Sequence, residues 1–382
     1  MTQLAVVDVT RDVCLLTWDD GSQSSFHHMW LRDNAPELLH PTTNHRVVET
    51  STIEDNVHPR GATVDGGDLV VVWDHDGHLS RFASSWLLAR DYSRGVRRVR
   101  PRPVLWTAAD ADRGVIPRAS YESVRDDAAT RRQYMVGLRD YGLGLLHDVP
   151  RQPGTVLEVA ELFGEVRSTS WGRIFDVVAI ADANSVAYTN LPLVTHTDEA
   201  YRDPAPTMQL QHFLDVDPTG GESTLVDGFR IAEDMRADAP AQFELLATTV
   251  LHFHFREETS EHEHDGPVFD LDPGGALRAV RFSNHSVQPF LLPPDDVLPF
   301  YAAYREFGRM RESDRYRWRV KMQPGDLYMV DNRRVLHGRT GFTGSGARHL
   351  QSCYIERDEF MSRLSVLERS AVAQSEEAAH SG

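Results

Sequence analysis

A mostly β chain with flanking helices is the fold class that three observations predict. Its form is a double-stranded β-helix, or jelly-roll barrel, behind a small N-terminal β domain. Short segments rich in Val, Leu, Phe and Tyr recur along nearly the whole chain with few helical stretches between them, which is the texture of a closed all-β architecture. A His-x-Asp pair, His196 and Asp198, lies near the start of the later series, and a further histidine, His337, lies near its end. The 382 residues exceed what one core comfortably fills, so two domains are expected.

Residues 1–100 read as the small β domain. Leu4–Val9, Val13–Trp18, Leu69–Trp73 and Ser80–Phe82 alternate or cluster β-formers. Turn chemistry separates them at Asp19-Asp20-Gly21, Asp65-Gly66-Gly67 and Asp76-Gly77. The basic, Pro-interrupted stretch Arg97–Pro103 reads as a linker, because Pro removes a ladder donor and stiffens the chain.

Residues 105–370 read as the barrel domain. Tyr121–Tyr141 has helical character, with Ser120 as N-cap and Gly142 as stop. Leu143–His147 follows as a strand, and a second helix runs from Gly154-Thr155 to Phe163-Gly164. Strands are expected at Ser185–Thr189, Met208–Phe213, Ser223–Asp227, Val250–Phe255, Ala279–Ser283, Leu327–Val330 and Gln351–Ile355. Helical stretches are expected at Arg230–Met235, Pro240–Ala247 and Asp295–Met310. The small, polar tail 371–382 reads as disordered.

Composition narrows the function classes. Hydrophobic and charged contents of 41% and 25% are those of a globular protein in water. No run of about 18 apolar residues suggests a membrane span, and the first residues lack the character of a secretory signal. A net charge of −17 disfavours nucleic acid and anionic membrane as partners. Two cysteines, Cys14 and Cys353, supply neither a disulfide framework nor a Cys-based zinc cluster, so a cytoplasmic location is expected. Lys321 is the only lysine among 40 basic residues, a bias that points to the genome and not to an activity.

His196 and Asp198 are two apart, so in an extended segment both project to one face. With His337 they make two imidazoles and one carboxylate, the facial triad of non-haem Fe(II) oxygenases, which leaves three coordination positions open. A His-x-Asp pair alone is weak evidence, since short patterns recur by chance.

Further segments in the same order sharpen this reading. They are Trp30–Asn34, Asn184–Thr189, Thr219–Phe229, Leu336-His337-Gly338-Arg339 and Arg348-His349-Leu350. With these motifs the chain resembles the γ-butyrobetaine and trimethyllysine dioxygenases, within the taurine dioxygenase-like group, over nearly its whole length. The resemblance implies iron held by His196, Asp198 and His337. It implies 2-oxoglutarate held by Arg348, eleven residues after His337, and by Ser223, together with O2 and with ascorbate as reductant. A planar guanidinium suits a carboxylate because it makes paired bonds. Retention of Asp198 favours hydroxylation, because related halogenases lack this carboxylate.

The resemblance also implies a cage for a trimethylammonium group, formed by Trp171, Phe175, Tyr188 and Tyr354. Aromatic faces attract a cation that cannot donate a hydrogen bond. Ser185 and Asn284 are expected at the substrate's anionic end, where the family carries asparagines. The changed residue at Ser185 leaves that anion open, and Arg173 and His285 are nearby. The leading substrate is γ-butyrobetaine, giving L-carnitine. Trimethyllysine, trimethylaminoethylphosphonate or a biosynthetic intermediate are alternatives, and a non-catalytic metabolite-binding protein is the alternative of another class.

A structural zinc is not expected. Ala35, Glu37 and His40 stand at the family's cysteine positions, with His78 at its histidine, and structural zinc prefers four ligands with thiolates among them. His252, His254, His262 and His264 read as an exposed strand followed by an acidic loop and not as a metal site. The resemblance suggests a homodimer.

Overall fold

The computed structural model describes residues 2–95, 101–178, 190–342 and 348–380, with side chains up to residue 372. The chain divides into two units, Met1–Pro101 and Arg102–Gly382. In the first unit, β1 (Leu4–Val9), β2 (Val13–Trp18) and β3 (Gln23–His27) form one antiparallel sheet. A second comprises β4 (Pro59–Asp65), β5 (Asp68–Trp73) and β6 (Leu79–Phe82). Every second residue of β2 and β5 is buried, and these inward positions build a core with Trp18, Phe26, Trp73 and Phe82. Each buried indole donates to a serine hydroxyl, Trp18 to Ser24 at 2.7 Å and Trp73 to Ser80 at 2.7 Å, so neither polar tip is left unsatisfied. The linker residues Arg97–Arg100 lie outside the described residues.

The second unit carries fifteen strands among the described residues. They begin with β7 (Arg118–Ser120), β8 (Leu143–His147), β9 (Val166–Arg167), β10 (Phe175–Val178), β11 (Leu193–His196), β12 (Met208–Asp215) and β13 (Ser223–Asp227). Two hairpins follow, β14 (Leu251–Arg256) with β15 (Glu261–Gly266) and β16 (Phe269–Leu271) with β17 (Leu277–Val280). The last four are β18 (Trp318–Val320), β19 (Leu327–Asp331), β20 (Val335–Arg339) and β21 (His349–Ile355). One sheet runs β10-β21-β12-β19-β8-β7 with β9 added to β21, and a second runs β11-β20-β13-β18.

Side-chain alternation explains the layers of this jelly roll. Phe213, Leu225, Tyr328, Val330, Val335 and Leu350 point inward and form the interior core. Their neighbours Met208, Leu210, Leu327, Met329, Cys353 and Ile355 point outward from the larger sheet. Helices Ala128–Tyr141 and Thr155–Glu161 cover them through Tyr134, Met135, Leu138, Val156 and Val159. Val226 and Leu336 point outward from the smaller sheet, under helices Gly228–Asp238, Pro240–Thr248 and Pro294–Glu312. Each fully buried Leu- or Phe-sized side chain contributes about 1.5–3 kcal/mol relative to exposure.

Four local expectations need correction. The helix expected over Tyr121–Tyr141 is two helices, Tyr121–Asp126 and Ala128–Tyr141. Asp127 turns to an extended conformation and caps the second, accepting from Thr130 N at 2.8 Å. The loop expected after His254 contains β15, which pairs with β14 through polar cross-strand partners. Val335–Arg339, read only as a motif, is a strand. The helix Arg357–His380 continues through most of the tail expected to be disordered. Its Ala, Glu and Gln are good helix formers, a preference that the small, polar composition concealed. The strand expected at Ser185–Thr189 lies outside the described residues.

His212 on β12 is fully buried, and burial pushes its imidazole down to about 4. Between the ordinary value near 6.5 and that value, the unfolded chain takes up a proton that the native chain refuses. The stability given by a neutral His212 is therefore present above pH 6.5 and lost as pH falls towards 4. In urea denaturation, the stability of His212→Leu relative to the unsubstituted chain should shift by about 2 kcal/mol in the variant's favour from pH 7 to pH 5. An unchanged difference would exclude His212 as a source of acid sensitivity.

Candidate active site

The inward faces of the two sheets line a cavity of about 400 Å³. On its wall, β11 pairs with β20 so that His196 stands opposite His337. Their ring centroids are 4.8 Å apart. The close approach of these strands requires Gly338, because a Cβ there would lie 2.4 Å from Leu193 O. Beyond β11 the chain is pinned by Thr197 N donating to Phe282 O at 2.9 Å. Asp198 N donates to Asn332 Oδ1 at 2.7 Å, and Asn332 Nδ2 returns a bond to Asp198 O at 3.1 Å. These bonds turn the Asp198 carboxylate towards the two imidazoles.

The three side chains offer ligand atoms within 4.8 Å of one another, and they form the sole such group of three among the described residues. Asp198 Oδ1 lies 3.1 Å from His196 Nε2 and 3.5 Å from His337 Nε2. His196 Nδ1 is 2.9 Å from Val194 O. A carbonyl only accepts, so Nδ1 carries a proton, and Nε2 is the nitrogen turned towards Asp198 and offered to a metal. Two imidazole nitrogens and one carboxylate oxygen suit a divalent first-row transition metal, and the residues fit Fe(II). Burial would raise the Asp198 carboxyl, but His337 and His196 outweigh it and hold it well below the usual range.

Aromatic rings form another wall. Trp171, Phe175 and Tyr354 line the cavity, and Tyr201 and Phe255 join them. Phe175 and Tyr354 have centroids 5.5 Å apart. Phe255 lies 6.0 Å from Trp171 and stacks on Tyr201 at 4.7 Å. Tyr354 is more than an aromatic face, since its hydroxyl donates to Asp198 Oδ2 at 2.7 Å. Glu199 also lines the cavity. Burial pushes its carboxyl up to about 7, against the pull of Arg202. Tyr188 and Ser185 lie outside the described residues.

Asn284 departs from expectation. It is exposed and accepts from Tyr304 OH at 2.7 Å, while its neighbours Ser283, His285 and Ser286 line the cavity. A turn aims successive side chains in unrelated directions, so sequence proximity did not fix which residue faces inward. Arg173 is exposed.

Arg348 lines the cavity and is buried, and burial lowers its guanidinium. Arg339, two residues after His337 on the same face of β20, lines it too. Burial and then repulsion from Arg348 bring Arg339 down to about 10. Two guanidiniums on one cavity make that part of it a site for anions. Ser223 is buried on β13 opposite Arg339, but it is not among the described residues lining the cavity. Sequence reasoning assigned no role to Arg339, Gln209 or Gln211. The last two were detectable as polar residues alternating within a strand that is otherwise apolar, Met208-Gln209-Leu210-Gln211.

At the cysteine-like positions of the first unit, Glu37 accepts from Ser80 Oγ. It also lies 3.3 Å from His78 Nε2 and 3.8 Å from Arg32 Nη1. His40 is engaged elsewhere, its Nδ1 accepting from Thr43 N at 3.3 Å. On the β14–β15 hairpin, His252 pairs with Asp265 at 2.7 Å and His254 with Glu261 at 2.8 Å.

Comparison with known proteins agrees with this geometry. Residues 104–354 match the family model described as Taurine catabolism dioxygenase TauD, TfdA family. Residues 7–88 match the one described as Gamma-butyrobetaine hydroxylase-like, N-terminal. The chain is 38% identical to a gamma-butyrobetaine dioxygenase of Pseudomonas sp. (strain AK-1), over 93% of each chain. It is 29% identical to a trimethyllysine dioxygenase of Meyerozyma guilliermondii, over 93% of this chain and 94% of that one. It is also 29% identical to the gamma-butyrobetaine dioxygenase of Homo sapiens, over 92% and 93%. Among the described residues no helix is long and apolar enough to cross a membrane.

Proposed function

The chain belongs to the taurine catabolism dioxygenase TauD, TfdA family, and we propose that it is an Fe(II)/2-oxoglutarate-dependent hydroxylase of a small trimethylammonium compound. The leading substrate is γ-butyrobetaine, giving L-carnitine. One observation carries this reading. A cavity of about 400 Å³ combines a His196–Asp198–His337 cluster with an aromatic wall and two buried guanidiniums. These are the needs of a metal, a quaternary cation and an anionic co-substrate. The 38% identity to a gamma-butyrobetaine dioxygenase supports the choice of substrate.

His196, Asp198 and His337 would hold the iron, which with 2-oxoglutarate and O2 supplies C–H hydroxylation and releases succinate and CO2. Arg348 would grip the far carboxylate of 2-oxoglutarate through paired N–H bonds. The aromatic rings would seat the cation and exclude water from it. Trp171, Phe175 and Tyr354, at about 0.5–2 kcal/mol per desolvated contact, orient the chain of the substrate so that one C–H bond faces the open positions. Orientation of this kind is the protein's main contribution to such a reaction.

The test is succinate release in air with Fe(II), ascorbate and 2-oxoglutarate, over a panel of quaternary amines and their dimethyl and tert-butyl analogues. Strong stimulation by γ-butyrobetaine is expected. Its tert-butyl isostere should be at least about 10-fold poorer in kcat/KM, the equivalent of about 1.4 kcal/mol of lost cation–π attraction. Equal use of charged and neutral isosteres would remove the aromatic cage from the reading. Stimulation by trimethyllysine or trimethylaminoethylphosphonate alone would keep the cage and change the substrate. No iron binding would favour a metabolite-binding protein.

A further inference from the structure

We propose that Gln209 is a positioning residue which, with the Tyr354 hydroxyl, fixes Asp198 as a one-oxygen metal ligand. This rests on the reading of His196, Asp198 and His337 as a metal site. A carboxylate can bind a metal through one oxygen or through both. The two oxygens of Asp198 have different surroundings. Oδ1 faces both imidazole Nε2 atoms, at 3.1 and 3.5 Å. Oδ2 accepts from Gln209 Nε2 at 2.5 Å and from Tyr354 OH at 2.7 Å. Each carboxylate oxygen has about two lone-pair directions, so these two donors use the hydrogen-bonding capacity of Oδ2. A cation between the histidines is left with Oδ1.

The donors come from the sheet opposite β11. Gln209 on β12 and Tyr354 on β21 are direct cross-strand partners, so one rung of the larger sheet presents both to the same oxygen. The main chain of Asp198 is held separately by Asn332. The carboxylate is therefore fixed at both ends. Gln209 Oε1 is buried without a hydrogen-bond partner among the described residues. An amide left half-satisfied costs stability that a leucine of similar size would not, and the bond to Asp198 is what the amide contributes in return. A six-coordinate metal held by the two histidines would keep three positions open with a one-oxygen aspartate and two with a two-oxygen one. Two positions cannot accept a chelating 2-oxoglutarate and O2 together.

Tyr354 belongs to the aromatic wall as well, so its ring and its hydroxyl can be separated. Tyr354→Phe keeps the ring and removes the donor. Gln209→Leu removes the other donor at similar volume. The experiment titrates Co(II) into the full chain and into both variants by calorimetry, and records the Co(II) d–d spectrum with 2-oxoglutarate bound. Each variant should keep the unsubstituted chain's Tm within a few degrees and bind Co(II) about 10–100-fold more weakly, the range for loss of a hydrogen-bond partner of a metal ligand. The d–d bands should change in position and intensity. For Tyr354→Phe, the KM for the preferred quaternary amine should stay within about threefold, because the cation–π surface remains. Unchanged Co(II) affinity and spectrum in both variants would overturn the proposal while leaving the metal site intact. Failure of the unsubstituted chain to bind Co(II) would overturn the metal site and this inference with it.

Discussion

Replacing His196 by alanine is expected to lower substrate-dependent succinate release more than about 100-fold. Loss of an outer hydrogen-bond partner of a metal ligand typically costs 10–100-fold, and loss of the ligand itself should cost more. His196 sits at the end of β11 with Nδ1 tied to Val194 O and Nε2 facing Asp198. Alanine removes the nitrogen donor but keeps the backbone pairing of β11 with β20. The lesion should therefore be one of metal binding. Co(II) or Fe(II) affinity should fall with activity, while the Tm moves by only a few degrees. Retention of full substrate-dependent turnover would sink the assignment of the cluster. A collapse in Tm with wild-type metal affinity in the surviving native fraction would make His196 structural.

The His196–Asp198–His337 cluster was legible in the sequence because the chemistry of a metal site dictates residue type. The two-residue spacing paired His196 and Asp198 without coordinates, although Asp198 lies in a turn beyond β11 and is aimed by its bonds with Asn332 and not by strand alternation. His337 needed only a motif near the end of the strand series. Arg348 was found the same way. The strands at Leu327–Val330 and Met208–Phe213 were equally readable, since both are short runs with β-forming and apolar residues.

What was not legible depended on closure of the barrel. Gln209 and Tyr354 lie 145 positions apart in the chain, and they meet at Asp198 only because β12 and β21 pair in one register. Arg339 stood in a quoted motif but gained its meaning from sharing a cavity with Arg348. Asn284 failed for the opposite reason, because it lies in a turn whose side-chain directions no period predicts. The β15 strand was hidden by its composition, Glu261-His262-Glu263-His264. Cross-strand pairs of histidine with carboxylate hold it, and polar pairing of that kind resembles a loop when one strand is read alone.

The largest stability effect is expected at Arg334, which starts the chain into β20 and so towards His337. Its guanidinium donates from Nε to Asp227 Oδ1 at 2.9 Å and from Nη2 to Asp227 Oδ2 at 2.7 Å. It also donates to the carbonyls of Asp140 at 2.7 Å and Val104 at 2.6 Å. Asp227 in turn accepts from Trp106 N at 3.1 Å and Phe229 N at 3.1 Å, the latter capping the helix Gly228–Asp238. Both side chains are almost fully buried, at 2% and 1% exposure. Arg334→Met would strand the Asp227 carboxylate without a counter-ion and take a donor from the Val104 carbonyl, while Asp140 O keeps Val104 N at 2.7 Å. Breaking one side of a buried pair costs about 3–5 kcal/mol, so the urea midpoint should fall sharply. Adding Asp227→Leu should recover part of the loss, because the stranded charge is what costs most and two apolar side chains can occupy the space. If the double variant is no more stable than Arg334→Met, the capping and carbonyl bonds outweigh the ion pair. If Arg334→Met costs less than about 1 kcal/mol, then water reaches Asp227 and the pair is not the pin that holds the start of β20.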